Sequence, residues 1–401
     1  MDSIAVRYDT LSLSQQVLER QQRHAAAIQQ YLPAHADIGD STGLLLSMFK
    51  PLSAATITLA VDAGRVLEHL EQAAAAAVGD TARDFAESDS RVGDSFSHIL
   101  GRLKASSAGH GYPELTGPTL GAAGESADGD YGDVDSWFWQ KGGSTVDTVT
   151  SVPHEVSVLL HGIDQMGAPR QVTELVDASS YLVAPQAPEN PVQDLRWSAG
   201  ILLGSIDWVA EKFIGFSILD RCVFHPLAGD WQGIYRGAEA WQHAADAVSA
   251  IGKNHVGLIA STPTGWQGRA GSSFRGAMGT IGGAAIGLGM GYEYASGLVQ
   301  TLSKVCKLAC TAIGFALRTI ADTLLEMAAE AAAPVVGWAV GAFKGYDQIQ
   351  KVVGKVRLIY TILETISSAI SDFAEAKTEI FDKLSLLEGL LEGLGKSRAF
   401  A

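Results

Sequence analysis

The chain has 401 residues, of which 47 % are hydrophobic and only 18 % charged, with 44 glycines and a formal net charge of −15. That length is enough for two domains or for one long helical body with appendages. An acidic chain repels phosphate backbones, which argues against nucleic acid as a partner, and the start of the sequence lacks the basic and then apolar pattern of a secretory signal peptide.

The first hundred residues predict two helices. One runs over residues 10–32, with Thr10 or Ser12 as cap and Pro33 as its stop. A turn follows at 39–43, and a second helix is expected from about Ser53 past residue 90. Leu59, Ala63, Val66, Leu70, Ala73 and Ala77 recur at four- and three-residue steps and define one apolar stripe. Residues 1–104 therefore read as an antiparallel helical hairpin with an alanine-lined seam.

Residues 105–195 change character. The stretch from 105 to 153 is rich in Gly, Ser, Asp and Pro and reads as a linker. Short helices are expected at 154–165 and 170–183, with a break at 184–191. In the second half, Leu202, Ile206, Val209 and Phe213 mark an amphipathic helix and Pro226 breaks the chain. Asp230 is a good N-cap for a helix of about thirty residues from Trp231. That helix carries Tyr235, Ala238, Trp241, Ala245, Val248 and His255 on one side. A turn at 261–268 leads into a further helix from near Arg269 toward residue 300.

Residues 301–401 end in the most regular pattern of the chain. Ile349, Val352, Val356, Ile359, Leu363, Ile366, Ile370 and Phe373 alternate three- and four-residue steps, and Ile380, Leu384, Leu387, Leu391 and Leu394 resume the register. This is a heptad seam of a helix about 65 Å long at 1.5 Å per residue. Lys377 falls at an a position, where it either fixes register or snorkels at a bend. The expected fold class is all-α and elongated, with a long C-terminal coiled-coil-like helix.

No catalytic constellation emerges. His154, Glu155 and His161 lack metalloprotease spacing, the run GGAAIGLGMG has neither a preceding strand nor a following Lys, and no Ser sits in a nucleophile elbow. Cys222, Cys306 and Cys310 suggest small buried residues, since the last two lie one helical turn apart, a poor geometry for a disulfide. No metal or cofactor is expected, and the chain reads as non-enzymatic.

Three other features bear on function. Trp266-Gln267-Gly268, with Ala270 and Phe274 following, lies between two long Ala-rich helices. Gly relieves a tight reversal, and Trp clamps either the two arms or a docking partner. Phe85 and Asp89 share a helix face at four-residue spacing. Tyr131 and Asp135 repeat that spacing inside the Gly-rich linker, where they would act as a disordered tag. Gly279, Gly283, Gly287 and Gly291 form a ridge at four-residue steps, and glycine costs roughly 1 kcal/mol each in a helix. A close helix–helix approach is the expected return, inside a bundle or, alternatively, in a membrane. The uncharged run around the ridge, 276–292, is barely long enough to span a bilayer.

Residues 226–300, with their Trp-x-Gly-x-Ala-x-x-x-Phe spacing, resemble the WXG-type helical hairpins of actinobacterial type VII (ESX) secretion substrates. Trp231-Gln232-Gly233 has the same letters but sits at a helix start and reads as capping. Residues 1–104 resemble the EspC-like hairpins of the same family, with Phe85 and Asp89 in place of a Tyr-x-x-x-Asp export signal. The resemblance implies a protein made in the cytoplasm and sent to the envelope or medium by the type VII machinery. A helical partner protein or a second copy would be its companion. Small members of the family pair as dimers of hairpins, so two hairpins in one chain could pair with each other. The alternatives are a membrane-inserting, pore-forming helical protein and a cytosolic chaperone for a secreted toxin.

Overall fold

The computed structural model describes residues 6–47, 49–84, 118–132, 171–186 and 229–331. They are all-α, with no β-strand among the described residues and only isolated bridges. Among the described residues there are four long helices: α1 (Tyr8–His35), α2 (Phe49–Asp84), α3 (Trp231–Ser261) and α4 (Arg269–Ala331). The heptad positions Ile359, Leu363, Ile366, Ile370 and Lys377, and the pairs Phe85 and Asp89, lie outside the described residues, as does Asp135.

The boundaries of α1 differ from the sequence expectation at both ends. The helix begins at Tyr8 behind Arg7, so Thr10 and Ser12 lie in its first turns rather than capping it. Pro33 falls inside its last turn. A proline there removes one N–H, and the helix closes two residues later with Ala36 N–H bonded to Leu32 O. α2 begins at Phe49, four residues before Ser53. Its buried stripe is Ala60, Ala63, Leu67, Leu70, Ala74 and Ala77. Leu59, Val66 and Ala73 flank that seam as partly buried contacts. The three-four step is the one expected: Ala63, Leu70 and Ala77 are shared with the expected stripe, and Ala60, Leu67 and Ala74 are buried in place of Leu59, Val66 and Ala73.

α1 and α2 are antiparallel: the Tyr8 hydroxyl donates to Ala82 O at one end, and Gln29 donates to Glu68 midway. α3 and α4 are antiparallel too, with the Ser296 and Ser303 hydroxyls donating to Ala238 O and Trp231 O. The two pairs pack on each other, α1 against α3 and α2 against α4. Around the bundle every neighbour is antiparallel, and α2 and α3 stand on a diagonal. One hydrophobic cluster draws on all four helices. A second closes the far end from Ile38, Leu46, Phe49, Leu52, Trp231, Ile234, Leu302, Cys306 and Cys310. Cys306 and Cys310 are buried and form no disulfide, as their spacing suggests. At 63 residues α4 is about 95 Å long, and it continues some five turns beyond Ile313, which packs on that cluster.

Because α2 and α3 run the same way, the chain between them must travel the length of the bundle. Residues 118–132 and 171–186 lie along the α1–α3 side, joined by a parallel bridge between Glu125 and Val176. The helix expected over 170–183 is absent. Those residues are extended apart from a single 3-10 turn, Ala178–Tyr181, capped by Asp177. Val172, Val176 and Ala178 join the main core from this segment, so it packs on the bundle largely without the helix that was expected.

Candidate functional site

The Trp266 turn is built from the residues the sequence singles out. α3 ends at Ser261, and Thr262 N–H closes on Leu258 O. Gly268 has φ +97°, a left-handed conformation open to glycine at little cost. The Trp266 ring is 0 % exposed and stacks on Phe274, centroids 4.8 Å apart. Arg275 donates to Trp266 O at 3.0 Å, which ties the turn to the first turns of α4.

The start of the chain closes over this turn. Val6 bridges Trp266 in antiparallel fashion, Arg7 N–H donates to Gly265 O at 2.7 Å, and Thr10 packs on Gly265. Tyr8 hydrogen-bonds the last turns of α2 at Ala82 O, 3.3 Å away. The Trp266 turn, the start of α1 and the end of α2 therefore share one end of the bundle. α2 is described to Asp84, immediately before Phe85.

Trp231, in the second Trp-x-Gly, is the first residue of α3 and is buried at the other end. Asp230 caps the helix through Gln232 N–H, as expected. Gly229, at φ +111°, lets the backbone of residues 41–43 approach, sealed by Asp230 N–H to Ser41 O.

Close approach of α3 and α4 is seen at Gly282 and Gly289, glycines beside the four-residue row. A Cβ on Gly282 would lie 2.8 Å from His255 Cβ and 3.3 Å from Gly252 O. One on Gly289 would meet Ser249 Oγ and lie 3.0 Å from Ala245 O. Gly279 by contrast has only Ile259 Cδ1 at 3.7 Å, an ordinary contact. Gly283 is half-buried, and Gly287 and Gly291 are buried. The close approach follows the seven-residue step of an antiparallel pair, which a search for four-residue steps passes over.

Tyr131 is an anchor here and not a disordered tag. Its hydroxyl donates to Asp246 Oδ2 at 2.5 Å, and its ring meets Tyr181 edge-on at 5.0 Å and lies 5.0 Å from His243. Burial, then the Asp246 carboxylate, pushes its phenol up. Beside it the Tyr31 hydroxyl donates to Val183 O at 2.6 Å and lies 2.9 Å from His243 Nδ1. Burial pushes the His243 imidazole down to about 4. It raises the Glu239 carboxyl to about 8, against the hydrogen bond from Gln186 N–H.

Two further polar groupings lie between the helix pairs, and no local pattern announces them. On the diagonal, His255 and Glu71 are both 0 % exposed, with Nε2 3.0 Å from Oε1 and Nδ1 2.8 Å from Ile251 O. Burial alone would lower the His255 pKa, but the charge and hydrogen bond of Glu71 outweigh it and leave it raised. Both ring nitrogens thus face acceptors, which suits an imidazolium–carboxylate pair of zero net charge. Between α1 and residues 171–186, Glu174 accepts from Arg20, Gln21 and His24. Burial would raise its pKa, but the bonds from His24, Arg20 and Gln21 overcome this and hold it below the usual range.

These groups lock elements together, and among the described residues none gathers into a metal site. Nor is any described helix long and apolar enough to cross a membrane. Comparison with known proteins finds no matching family model, no matching curated protein and no matching solved structure.

Proposed function

We propose that this chain is a non-enzymatic substrate of a type VII (ESX) secretion system, or the secretion partner of one, acting through helix–helix interactions. One observation carries the reading: two antiparallel helix pairs pack on each other within a single chain, with a Trp-x-Gly reversal at the end of the bundle where α2 runs toward Phe85 and Asp89. A bundle whose apolar faces are already satisfied can be handed to a machine as a folded object. Recognition then falls to its ends, where backbone reverses and short motifs project. The machinery is the proposed partner, with a helical companion protein or a second copy along the rest of α4 and the heptad segment. The envelope or the medium is the proposed destination. The pore reading has less support, because Gly282 and Gly289 are engaged in α3–α4 contact.

The test is fractionation of tagged protein from its own host, with and without a working export ATPase, against a lysis marker. Protein in the medium or on the cell surface that depends on the ATPase supports the reading, and Phe85→Ala or Asp89→Ala should then abolish export while leaving helical content unchanged. Cytosolic protein indifferent to the ATPase overturns the reading in favour of a chaperone for a secreted toxin.

A further inference from the structure

Residues 172–178 alternate strictly. Val172, Glu174, Val176 and Ala178 are 3 %, 1 %, 3 % and 0 % exposed, while Thr173, Leu175 and Asp177 between them are more open. A period of two with one face inward is how an extended peptide lies in a groove. Two helices build what receives that face. From α1, Arg20 Nη1 reaches Glu174 Oε2 at 2.6 Å, and Gln21 Nε2 and His24 Nε2 each reach Oε1 at 2.9 Å. From α3, Asn254 reads the backbone in both directions. Its Oδ1 accepts from Leu175 N–H and Val176 N–H, both at 2.9 Å, and its Nδ2 donates to Val176 O at 2.8 Å. The same amide donates to Gln21 Oε1 at 2.9 Å, so the carboxylate grip and the backbone grip are one network.

A segment that merely covered an apolar seam would need none of this. Placing a carboxylate at 1 % exposure costs desolvation, and only a full set of donors offsets it. What such a set supplies is selectivity for a carboxylate at one position of an extended chain. We propose that the groove between α1 and α3 is a binding site for an extended acidic peptide of the pattern apolar-x-Glu-x-apolar-x-small, and that residues 172–178 are its resident ligand, exchangeable for a matching segment of a partner protein. The groove's chemistry stands whether or not the chain is exported. Tethering gives the resident segment an effective concentration on the order of millimolar, so a partner competes only when its own segment is concentrated nearby or the resident one is loosened.

The test uses the full chain and a fluorescein-labelled peptide of residues 171–182, QVTELVDASSYL, followed by anisotropy. Val176→Asp places a charge in the core and loosens the resident segment. That variant should bind the peptide at least about tenfold more tightly than the unaltered chain does, given the tether. The same peptide carrying Glu174→Gln should bind it about tenfold or more weakly, the value of charge-assisted hydrogen bonds. Asn254→Leu added to the loosened chain should abolish binding. A loosened chain that keeps its helical circular dichroism yet binds neither peptide, or binds both equally, overturns the proposal. Should Val176→Asp unfold the chain, the unaltered protein serves instead. Peptide at several millimolar should then speed hydrogen exchange at the Leu175 and Val176 amides, and unchanged exchange there overturns the proposal equally.

Discussion

The two glycine registers on α4 give opposite expectations for the same substitution. Gly→Ala in a helix interior is favourable by up to about 1 kcal/mol wherever a methyl group fits. At Gly279 it fits, with its nearest neighbour 3.7 Å away, and at Gly276 nothing lies within 4 Å. Both substitutions should stabilise the bundle by roughly 0.5–1 kcal/mol. At Gly282 the new methyl would sit 2.8 Å from His255 Cβ and 3.3 Å from Gly252 O. Neither atom is the end of a flexible side chain, and His255 is fixed by Glu71 and Ile251 O. Relief requires α3 and α4 to move apart, at about 1–3 kcal/mol. Subtracting the propensity gain leaves a net loss of up to about 2 kcal/mol, and a separation between Gly279→Ala and Gly282→Ala of about 1–3 kcal/mol. Guanidinium unfolding followed by helical circular dichroism reads this as midpoints shifted in opposite directions at equal slope. Equal loss at both sites would refute the seven-residue register and restore the four-residue ridge as the contact face.

Three more outcomes follow from the same contacts. Gly268→Ala forces a side chain into φ +97° and should cost about 1–2 kcal/mol, measured as a lower unfolding midpoint; no change would mean the turn relaxes without glycine. Glu71→Ala or His255→Ala alone should cost about 3–5 kcal/mol by leaving a buried polar partner, whereas Glu71→Leu with His255→Leu should cost far less; a double variant as unstable as the singles refutes the pair as the cause. Burial lifts the Glu239 carboxyl from 4.5 to about 8 in the folded chain, so its contribution is complete below pH 4.5 and is lost as pH rises through about 8. Glu239→Gln should therefore flatten the decline in stability across that window, and an unchanged pH slope counts against a neutral buried Glu239.

Where local chemistry decides, the sequence is readable. Asp230 followed by Trp231 marks the start of α3 because an acidic cap satisfies a free helix N–H. The turn at 261–268 is legible because Gly and Trp divide the work of reversal and clamp. The apolar face of α3 from Tyr235 to His255 is buried as its spacing implies. Where partners are remote in sequence, local pattern fails. Glu174 looks like a surface residue in VTELVD, since its donors on α1 lie some 150 residues earlier. Its extended segment is hidden for the same reason, because a buried Glu breaks the apolar alternation that identifies extended chain with one face inward. Gly282 and Gly289 are missed for a different reason. Four-residue steps follow one column of a helix, but two antiparallel helices meet along a seven-residue repeat.

The burial of Trp266 narrows what the end of the bundle can offer a partner. A ring at 0 % exposure, stacked on Phe274 and covered by Val6, is not a surface that an incoming protein touches. Its work is internal: it fixes the angle between α3 and α4 and gives the start of α1 a backbone edge at Gly265 to pair with. Among the described residues, those accessible there include Tyr8, 46 % exposed, with the Arg7 and Asp9 side chains beside it, and Pro263, Thr264, Gln267 and Arg269 around the turn. Tyr8, in the first turn of α1, also reaches α2 through Ala82 O, so one exposed ring spans two helices. If machinery reads this end, Tyr8→Ala should impair export at little cost in stability, because a half-exposed ring carries little burial energy. Trp266→Ala should act in the other order, lowering stability by about 3–5 kcal/mol and impairing export only where the bundle fails to hold. Measuring both variants by unfolding midpoint and by ATPase-dependent export separates recognition from architecture, and a Tyr8→Ala chain exported normally would remove Tyr8 from the recognition surface.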